Sequence, residues 1–471
     1  MKPDQRDPRY LAPWEKTFDR LINPLEEFIH YKSSSGILLF VCAALSFALA
    51  NSPLTEGFFH LLHTPLTVGA GEFALTMTAR HWVNDGLMAI FFLLMGLEIK
   101  RELLAGELSQ PRKAALPVMA AAGGMLVPAL IYLAFNAGQE SARGWGVPMA
   151  TDIAFAVGAL ALLGARAPKN LFVFLISLAI ADDIGAVIVI ALFYTATLNM
   201  AALQLAGLLA LVLLTLNRAG VRRLLPYLAV GGALWYAIGQ SGAHATIAGI
   251  ILAVAIPVRP QFELARFSRK VRGLIDSFDA ARHDETTVLL TSEQHVIINT
   301  LSEGVRKVQP PLARLEHSLH LPVEYFIMPL FALLNAGAPV SVEELGAALT
   351  DPVTLGVALG LVAGKFTGIV GFTLIPVALG LAALPSDITR RHVIGVGLLG
   401  GIGFTMSIFI AELAFASEAE IRMAKIGILA GSLFAGVAGY LTLKGARAAA
   451  DAELLAAAEK EGMAIGDPLA H

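Results

Sequence analysis

The sequence has almost no cysteine and little charge. Of its 471 residues, one is a cysteine, Cys42, and 15% are charged. A single cysteine excludes a disulfide framework and a cysteine-rich metal site within one chain. The charged share is well below that of soluble domains. The first 35 residues also lack the basic region and apolar region, in that order, of a signal peptide, so we expect no cleaved leader.

Apolar length dominates the chain instead. Hydrophobic residues make up 56% of it and the mean hydropathy is +0.68. Because about 20 apolar residues cross a bilayer as a helix, the sequence predicts an all-α polytopic membrane protein. The twelve predicted spans lie near residues 34–51, 82–104, 114–136, 141–164, 171–195, 200–217, 223–240, 243–258, 322–338, 353–383, 391–416 and 420–444.

Lysine and arginine alternate between the links that join these spans. They precede the first span and follow the even-numbered ones, with Arg422 and Lys425 as the main exceptions. Basic links face the cytoplasm, so the pattern predicts that both termini are cytoplasmic. We therefore expect a transmembrane domain over 1–445, with a cytoplasmic insert at 259–321, and a cytoplasmic tail at 446–471.

Residues 65–78, between the first two spans, contain two short apolar runs. Leu66–Val68 and Phe73–Met77 are separated by a turn of small residues, 69–71, which predicts a β-hairpin on the outer side. An exposed hairpin edge can pair with a second copy of the chain. An unpaired outer loop is equally compatible with the sequence.

Four charged residues lie near the middle of predicted spans: Asp152, Asp182, Asp183 and Lys365. Each costs about 3 kcal/mol at the bilayer centre, so together they would cost roughly 12 kcal/mol, comparable with the stability of a domain. They must face one another or water, and three acids with one base predict a site for a small cation. Adjacent helix positions point about 100° apart, so one of Asp182 and Asp183 can reach a cavity while the other turns to a neighbour. A purely structural ion pair with Lys365 is the alternative, but it explains only one acid.

Two predicted spans contain helix-breaking residues. Pro148 lies in the fourth span, and Gly401 and Gly403 lie in the eleventh. Proline removes a helix hydrogen bond and glycine weakens a helix. Breaks at matching places in two halves of a transporter indicate its binding site. The half-helices carry partial charges at such breaks, and Asp152 and Lys365 are the nearest opposite charges.

Several segments together resemble the bacterial NhaA-type sodium/proton antiporter family. They are ATDIAFAVGALALLG, LAIADDIGAVIVIALFYT, SGAHATIAGI, PLFALLNAG, GGIGFTMSIFIAELAF and FFLLMGLEIKREL, and the likeness runs from about Trp82 to Leu443. The resemblance implies a secondary transporter of the inner (plasma) membrane rather than an enzyme. It implies twelve helices in inverted repeats, with broken fourth and eleventh helices that cross. The rule that broken helices mark the binding site of a transporter was drawn from proteins that include NhaA, so the helix breaks do not support the resemblance independently.

The resemblance also implies an activity and roles for site residues. The activity is electrogenic, pH-regulated extrusion of sodium, and of lithium, in exchange for a larger number of protons, without a cofactor or nucleic acid. Asp183 would be the main carrier of sodium and protons, with Asp182 beside it as a second sodium ligand able to pair with Lys365. Asp152 and Thr151 would belong to the broken-helix site.

A second set of residues would govern the response to pH. The resemblance places at a cytoplasmic funnel Glu98, Glu102, Glu316, His317 and His320. It gives His244 a bearing on pH response, although a histidine at the end of a span is more often packed or solvated. It makes the outer hairpin the homodimer contact. The insert from about 261 to 311 is longer than the family pattern and directly precedes Glu316, so this departure bears on pH sensing more than on the ion site.

The chemistry of the acids supports ion exchange on its own. Sodium is a hard cation that prefers oxygen ligands, and a carboxylate that holds either sodium or a proton couples the two flows when access alternates. An intramembrane aspartyl protease also needs two aspartates, but here one is doubled and GIGF lacks the aspartate that such an enzyme needs after Gly-X-Gly. An organic-anion transporter would need a basic pocket, and in a simple channel the carboxylate pair would trap ions.

Overall fold

The computed structural model describes residues 34–69, 74–164, 167–194, 199–260, 264–281, 291–380, 382–385 and 387–460. These residues are mostly helical. The α-helices in chain order are α1 (Ser34–Ala50), α2 (Thr55–His63), α3 (Ala79–Ala105), α4 (Pro111–Asn136), α5 (Ile153–Ala161), α6 (Lys169–Phe193), α7 (Met200–Arg218), α8 (Leu224–Gln240), α9 (Ile247–Ala255), α10 (Leu264–Ala280), α11 (Ser292–Val308), α12 (Pro311–Asn335), α13 (Val342–Ala348), α14 (Pro352–Ala378), α15 (Arg390–Leu399), α16 (Phe404–Ala414) and α17 (Glu418–Lys460). A 3₁₀-helix, Glu140–Met149, precedes α5. Residues 1–33 lie outside this description, as do residues 461–471 of the predicted tail, 446–471. Residues 446–460 of that tail continue helix α17.

The apolar helices support an all-α polytopic membrane protein. Over the ranges described, eight helical stretches are long and apolar enough to cross a bilayer, by length and composition. Two bent pairs, α1 with α2 at 113° and α15 with α16 at 44°, raise the number to as many as ten. The seventh and eighth predicted spans form α8 of 17 residues and α9 of 9 residues. Both helices are shorter than the 18 residues required of a spanning helix here. Twelve spans therefore stay a prediction.

The chain divides into two compact units. The first contains the described residues of Met1–Thr64, Gln110–Val189 and Met328–His471. The second contains those of Pro65–Ser109 and Ile190–Ile327. All residues predicted to bind the ion belong to the first unit, and all those predicted to sense pH belong to the second. Each set therefore lies within one unit.

The second unit begins with two paired strands. Strands β1 (Pro65–Val68) and β2 (Leu75–Thr78) are antiparallel, with Leu66 opposite Met77. The hydroxyls of Thr67 and Thr76 lie 2.8 Å apart across the pair. Residues 70–73 of the predicted hairpin fall outside the described ranges. The outer location and the pairing with a second copy stay predictions.

Helix α12 begins earlier than expected. Its first residue is Pro311, whereas the ninth span was predicted to start near residue 322. The insert over 259–321 stays a prediction. Proline suits the first turn of a helix because no internal hydrogen bond is lost there. Leu312 and Leu315 are buried, and the segment predicted as an amphipathic helix of the insert forms the first turns of α12. A prediction from apolar length misses these first turns of α12 because the face opposite the leucines is charged.

Candidate ion-binding site

Two interrupted segments meet within the first unit. Residues 150–152 are extended between the 3₁₀-helix and α5, and residues 400–403 separate α15 from α16. The backbone N–H of Asp152 donates to the carbonyl of Ile402 at 2.7 Å. A backbone N–H of the interruption before α5 is thus hydrogen-bonded to a backbone carbonyl of the interruption before α16.

Close packing explains the glycines of the second interruption. A Cβ on Gly401 would lie 2.4 Å from the carbonyl oxygen of Leu361 in α14, and one on Gly403 would lie 2.7 Å from the Leu361 side chain. Neither glycine has a positive φ, so these positions need glycine for close approach and not for a left-handed turn. Pro148 lies in the 3₁₀-helix just before the first interruption, and a Cβ on Gly360 of α14 would lie 2.7 Å from its Cβ. The helix-breaking residues thus also bring α14 against both interruptions.

Asp152 caps two half-helices at once. Its Oδ1 accepts a hydrogen bond from Phe155 N at 3.1 Å, at the start of α5. Its Oδ2 accepts from Thr405 N at 3.1 Å, in the first turn of α16, and from the Thr405 hydroxyl. Carboxylates stabilise helix N-termini because they face unsatisfied N–H groups and the positive end of the helix dipole. Asp152, only 1% exposed, therefore compensates both helix ends.

Asp182 and Lys365 form a fully buried ion pair that includes Thr151. Lys365 Nζ contacts Asp182 Oδ2 and donates to Thr151 Oγ1 at 2.9 Å. Thr151 Oγ1 lies 2.8 Å from Asp182 Oδ2 and 2.9 Å from the carbonyl oxygen of Gly400. A hydroxyl has one hydrogen to donate, so it serves one of these two acceptors at a time. The Oδ1 atom of Asp182 is buried and has no hydrogen-bond partner among the residues that the structure describes.

Asp183 lies beside this pair on α6 and is 2% exposed. It directly follows Asp182, the residue that contacts Lys365. The structure thus brings together all five residues that the sequence singled out: Thr151, Asp152, Asp182, Asp183 and Lys365. Asp182 is the aspartate that contacts the lysine, while the role of each residue in ion binding stays a prediction.

Glycine contacts between α4 and α14 place the lysine. A Cβ on Gly368 would lie 2.1 Å from the carbonyl oxygen of Gly123, and one on Gly364 would lie 2.7 Å from Pro128 Cα. One on Gly124 would lie 3.7 Å from Cδ of Lys365. The two helix backbones therefore approach closely, and the lysine stem runs along α4. Small residues allow this approach between helices in a membrane.

Three of the predicted pH-sensing residues surround one arginine in the second unit. Arg101 Nε donates to Glu316 Oε1 at 2.8 Å. Glu102 is buried, its Oε2 lies 3.7 Å from Arg101, and its Oε1 accepts from Glu107 N at 2.8 Å. Glu98 precedes Arg101 by three residues on α3, so the two side chains are neighbours on one face of the helix. The structure therefore joins Glu98, Glu102 and Glu316 into one charged group.

The predicted histidines are placed differently. His320 Nε2 lies 3.6 Å from Glu324 Oε1 on the same helix, and His317 is exposed. His244 precedes α9, where its Nε2 lies 2.6 Å from the carbonyl oxygen of Tyr194. Within the described part of the chain, this contact does not connect His244 to the charged group around Arg101. A function of these histidines in pH sensing stays a prediction.

Sequence reasoning missed two sets of contacts at α16. Ser432 Oγ accepts hydrogen bonds from Gly403 N at 3.2 Å and Phe404 N at 3.1 Å. Lys425, an exception to the charge alternation, forms a 2.8 Å ion pair with Glu412 inside the unit. Glu412 near the end of an apolar run was the available signal. Lys425 therefore departs from the charge alternation because it forms an ion pair inside the protein.

A family model described as Na+/H+ antiporter 1 matches residues 26–443. The chain belongs to this family. The Na(+)/H(+) antiporter NhaA 1 of Saccharophagus degradans is 47% identical over 442 residues, which cover 94% of this chain and 95% of the relative. The NhaA of Sulfurimonas denitrificans is 48% identical over 434 residues, with 92% and 98% covered, and that of Helicobacter pylori strain G27 is 49% identical over 431 residues, with 91% and 97% covered.

Membership in the Na+/H+ antiporter 1 family confirms the resemblance seen in the motifs. It makes the protein a secondary transporter and not an enzyme, which removes the protease alternative. In the described residues, no cluster of three or more His, Cys, Asp or Glu side chains could hold a metal ion. The oxygens at the interruptions come instead from carboxylates, a hydroxyl and a backbone carbonyl. Such hard oxygen atoms suit an alkali cation.

Proposed function

We propose that this protein is an electrogenic, pH-regulated Na+/H+ antiporter of the bacterial inner membrane. It extrudes sodium, and lithium, by alternating access at Asp182 and Asp183. The names of its relatives support sodium and protons as cargo. The observation that carries the mechanism is Asp182 Oδ1, a buried carboxylate oxygen with no hydrogen bond from the described residues, beside Thr151 and the interrupted segments.

The ion pair supplies a second step that involves a proton. Sodium or a proton on Asp182 neutralises the charge that holds Lys365, so either one weakens the contact between the two side chains. Asp183 carries the sodium ion or a proton in the same exchange. These groups titrate together: Asp182 and Asp183 each hold one proton when sodium is absent and both release it when a single sodium ion binds, so two protons move per sodium ion. Unequal exchange makes the transport electrogenic.

Alternating access requires a region whose backbone can rearrange. The hydrogen bond between Asp152 N and Ile402 O supports a crossing of the fourth and eleventh spans at their interruptions. We place this crossing in a fold of twelve helices with inverted repeats, in which α8 and α9 are the seventh and eighth spans. Both chain termini face the cytoplasm in this arrangement.

Two further features belong to the proposal. The charged group of Glu98, Glu102 and Glu316 around Arg101 governs the response to pH, with contributions from His317, His320 and His244. The hairpin formed by β1 and β2 faces outward and joins two copies of the chain into a homodimer. Exposure of β1 supports this contact, since an exposed strand edge can pair with another chain.

Purified protein in liposomes tests the proposed activity. Addition of sodium should move protons across the membrane, as reported by a pH-sensitive dye. Dissipating the membrane potential with valinomycin and potassium should increase the rate of exchange. Asp183→Asn should abolish the movement because the amide group neither ionises nor exchanges a titratable proton. Asp279→Asn, on the exposed face of α10, is the matched control and should exchange normally. Full exchange in Asp183→Asn would contradict the proposal.

A further inference from the structure

Polar contacts attach α17 to both ends of α16. Ser432 accepts from the N–H groups of Gly403 and Phe404 at the start of α16, and Lys425 pairs with Glu412 near its end. Seven residues separate Lys425 from Ser432, close to two turns, so both project from one face of α17. Both are buried, at 4% and 7% exposure. None of these contacts reaches the ion-binding residues directly.

Ser432 replaces a cap that α16 cannot supply itself. The residue before α16 is Gly403, which has no side chain, and a Cβ there would lie 2.2 Å from the hydroxyl oxygen of Ser407. The first N–H groups of a helix lack partners within the helix. A hydroxyl oxygen has two lone pairs and can accept from two donors. The neighbouring helix therefore caps α16 through one serine.

This cap determines how many donors Asp152 must serve. Gly403, Phe404 and Thr405 present three consecutive N–H groups, of which Ser432 binds the first two and Asp152 binds the third. Without the serine hydroxyl, two buried N–H groups would lack an acceptor. The Asp152 carboxylate accepts from the next N–H group, that of Thr405. Buried donors left without a partner are costly, so the carboxylate and the interruption would rearrange.

We propose that Ser432 and the Glu412–Lys425 ion pair are positioning residues for cation binding. They hold α16 against α17, so that Asp152 keeps its hydrogen bonds from Thr405. The interruption before α16 then keeps the conformation that binds the cation. The inference rests on the proposed function, because its readout is the sodium dependence of exchange. It predicts an effect on apparent sodium affinity from side chains that do not touch the ion.

Sodium titrations of exchange in liposomes test the serine. Ser432→Ala should raise the KM for sodium about fivefold to tenfold, the loss expected for two weak hydrogen bonds, with the maximal rate nearly unchanged. Ser432→Thr should restore the KM because it keeps the hydroxyl, and its methyl group has room in the apolar cavity of about 720 Å³ that Ser432 lines. Ser46→Ala is the control, since that buried hydroxyl has no hydrogen-bond partner among the described residues, and its KM should not change.

The ion pair provides a second, independent test. Replacing both partners of a buried pair by apolar residues usually preserves folding, so Glu412→Met with Lys425→Met should remain folded and raise the KM for sodium at least threefold. A normal KM in this double variant, or in Ser432→Ala, would overturn the positioning role, as would a lower maximal rate with an unchanged KM. If the unaltered protein shows no exchange, the proposed function itself fails, which is a separate result.

Discussion

Removing Lys365 should reveal how strongly the ion pair stabilises the protein. Lys365 is fully buried and contacts Asp182 and Thr151. In Lys365→Met, the methionine fills most of the space, but Asp182 keeps only the hydrogen bond from Thr151. Loss of one partner from a buried ion pair costs about 3–5 kcal/mol because the remaining charge is uncompensated. We therefore expect a large loss of stability, visible as an apparent Tm several degrees lower.

A double-mutant cycle measures the interaction energy between Asp182 and Lys365 apart from their contacts with other residues. Asp182→Asn alone should also destabilise, since it leaves the lysine charge buried. The double variant Lys365→Met with Asp182→Asn removes both charges, so its loss should be smaller than the sum of the single losses by about 2–3 kcal/mol. Thermal unfolding of the purified protein in detergent measures all four forms under one condition.

Lys307→Met is the matched control for this cycle. Lys307 pairs with Glu303 at 2.7 Å on the surface of α11, and exposed ion pairs contribute little to stability. The control should therefore unfold like the unaltered protein. If Lys365→Met is as stable as Lys307→Met, or if the two single losses simply add, the argument that hydrocarbon burial forces these charges together is refuted.

Three other predictions concern packing, pH response and assembly. Gly368→Val should unfold the protein or abolish exchange because its Cβ would overlap the Gly123 carbonyl, whereas Gly371→Val, with open space around its Cβ, should be tolerated in expression and exchange assays. Glu316→Gln weakens the bond to Arg101 and should shift the pH profile of exchange without lowering its maximum; an unchanged profile would remove this group from pH sensing. Replacing residues 65–78 by a short glycine-serine linker should convert a dimer to a monomer by light scattering, and a persistent dimer would place the interface elsewhere.

The ion-binding cluster could be predicted because charge is expensive in a membrane. Asp152, Asp182, Asp183 and Lys365 stand out in apolar runs, and the insertion cost requires them to meet. Their order in sequence does not determine which aspartate contacts the lysine, because Asp182 and Asp183 differ only in direction around α6. The residues alone left that choice open, and the structure shows Asp182 in contact with Lys365.

The contacts of Ser432 and of Glu412 with Lys425 could not be predicted in the same way. A serine in an apolar helix carries no insertion penalty large enough to demand a partner. Lys425 lies near a predicted link, where a charge needs no explanation. Both contacts depend on the antiparallel packing of α16 and α17, which hydropathy does not encode. The length of α12 was missed for a related reason, because its first turns are apolar on one face only.

The three buried aspartates have the same chemistry but different freedom to exchange ions. Both oxygens of Asp152 are committed to donors at the ends of α5 and α16, so sodium binding there would compete with two helix caps. Asp182 uses Oδ2 for Lys365 and Thr151 and retains Oδ1. Asp182 and Asp183 also lie on α6, which is continuous from Lys169 to Phe193, whereas Asp152 lies in an interruption. We therefore expect the acids of α6 to carry the exchanged ions from a fixed helix, while Asp152 holds together the segments that rearrange around them.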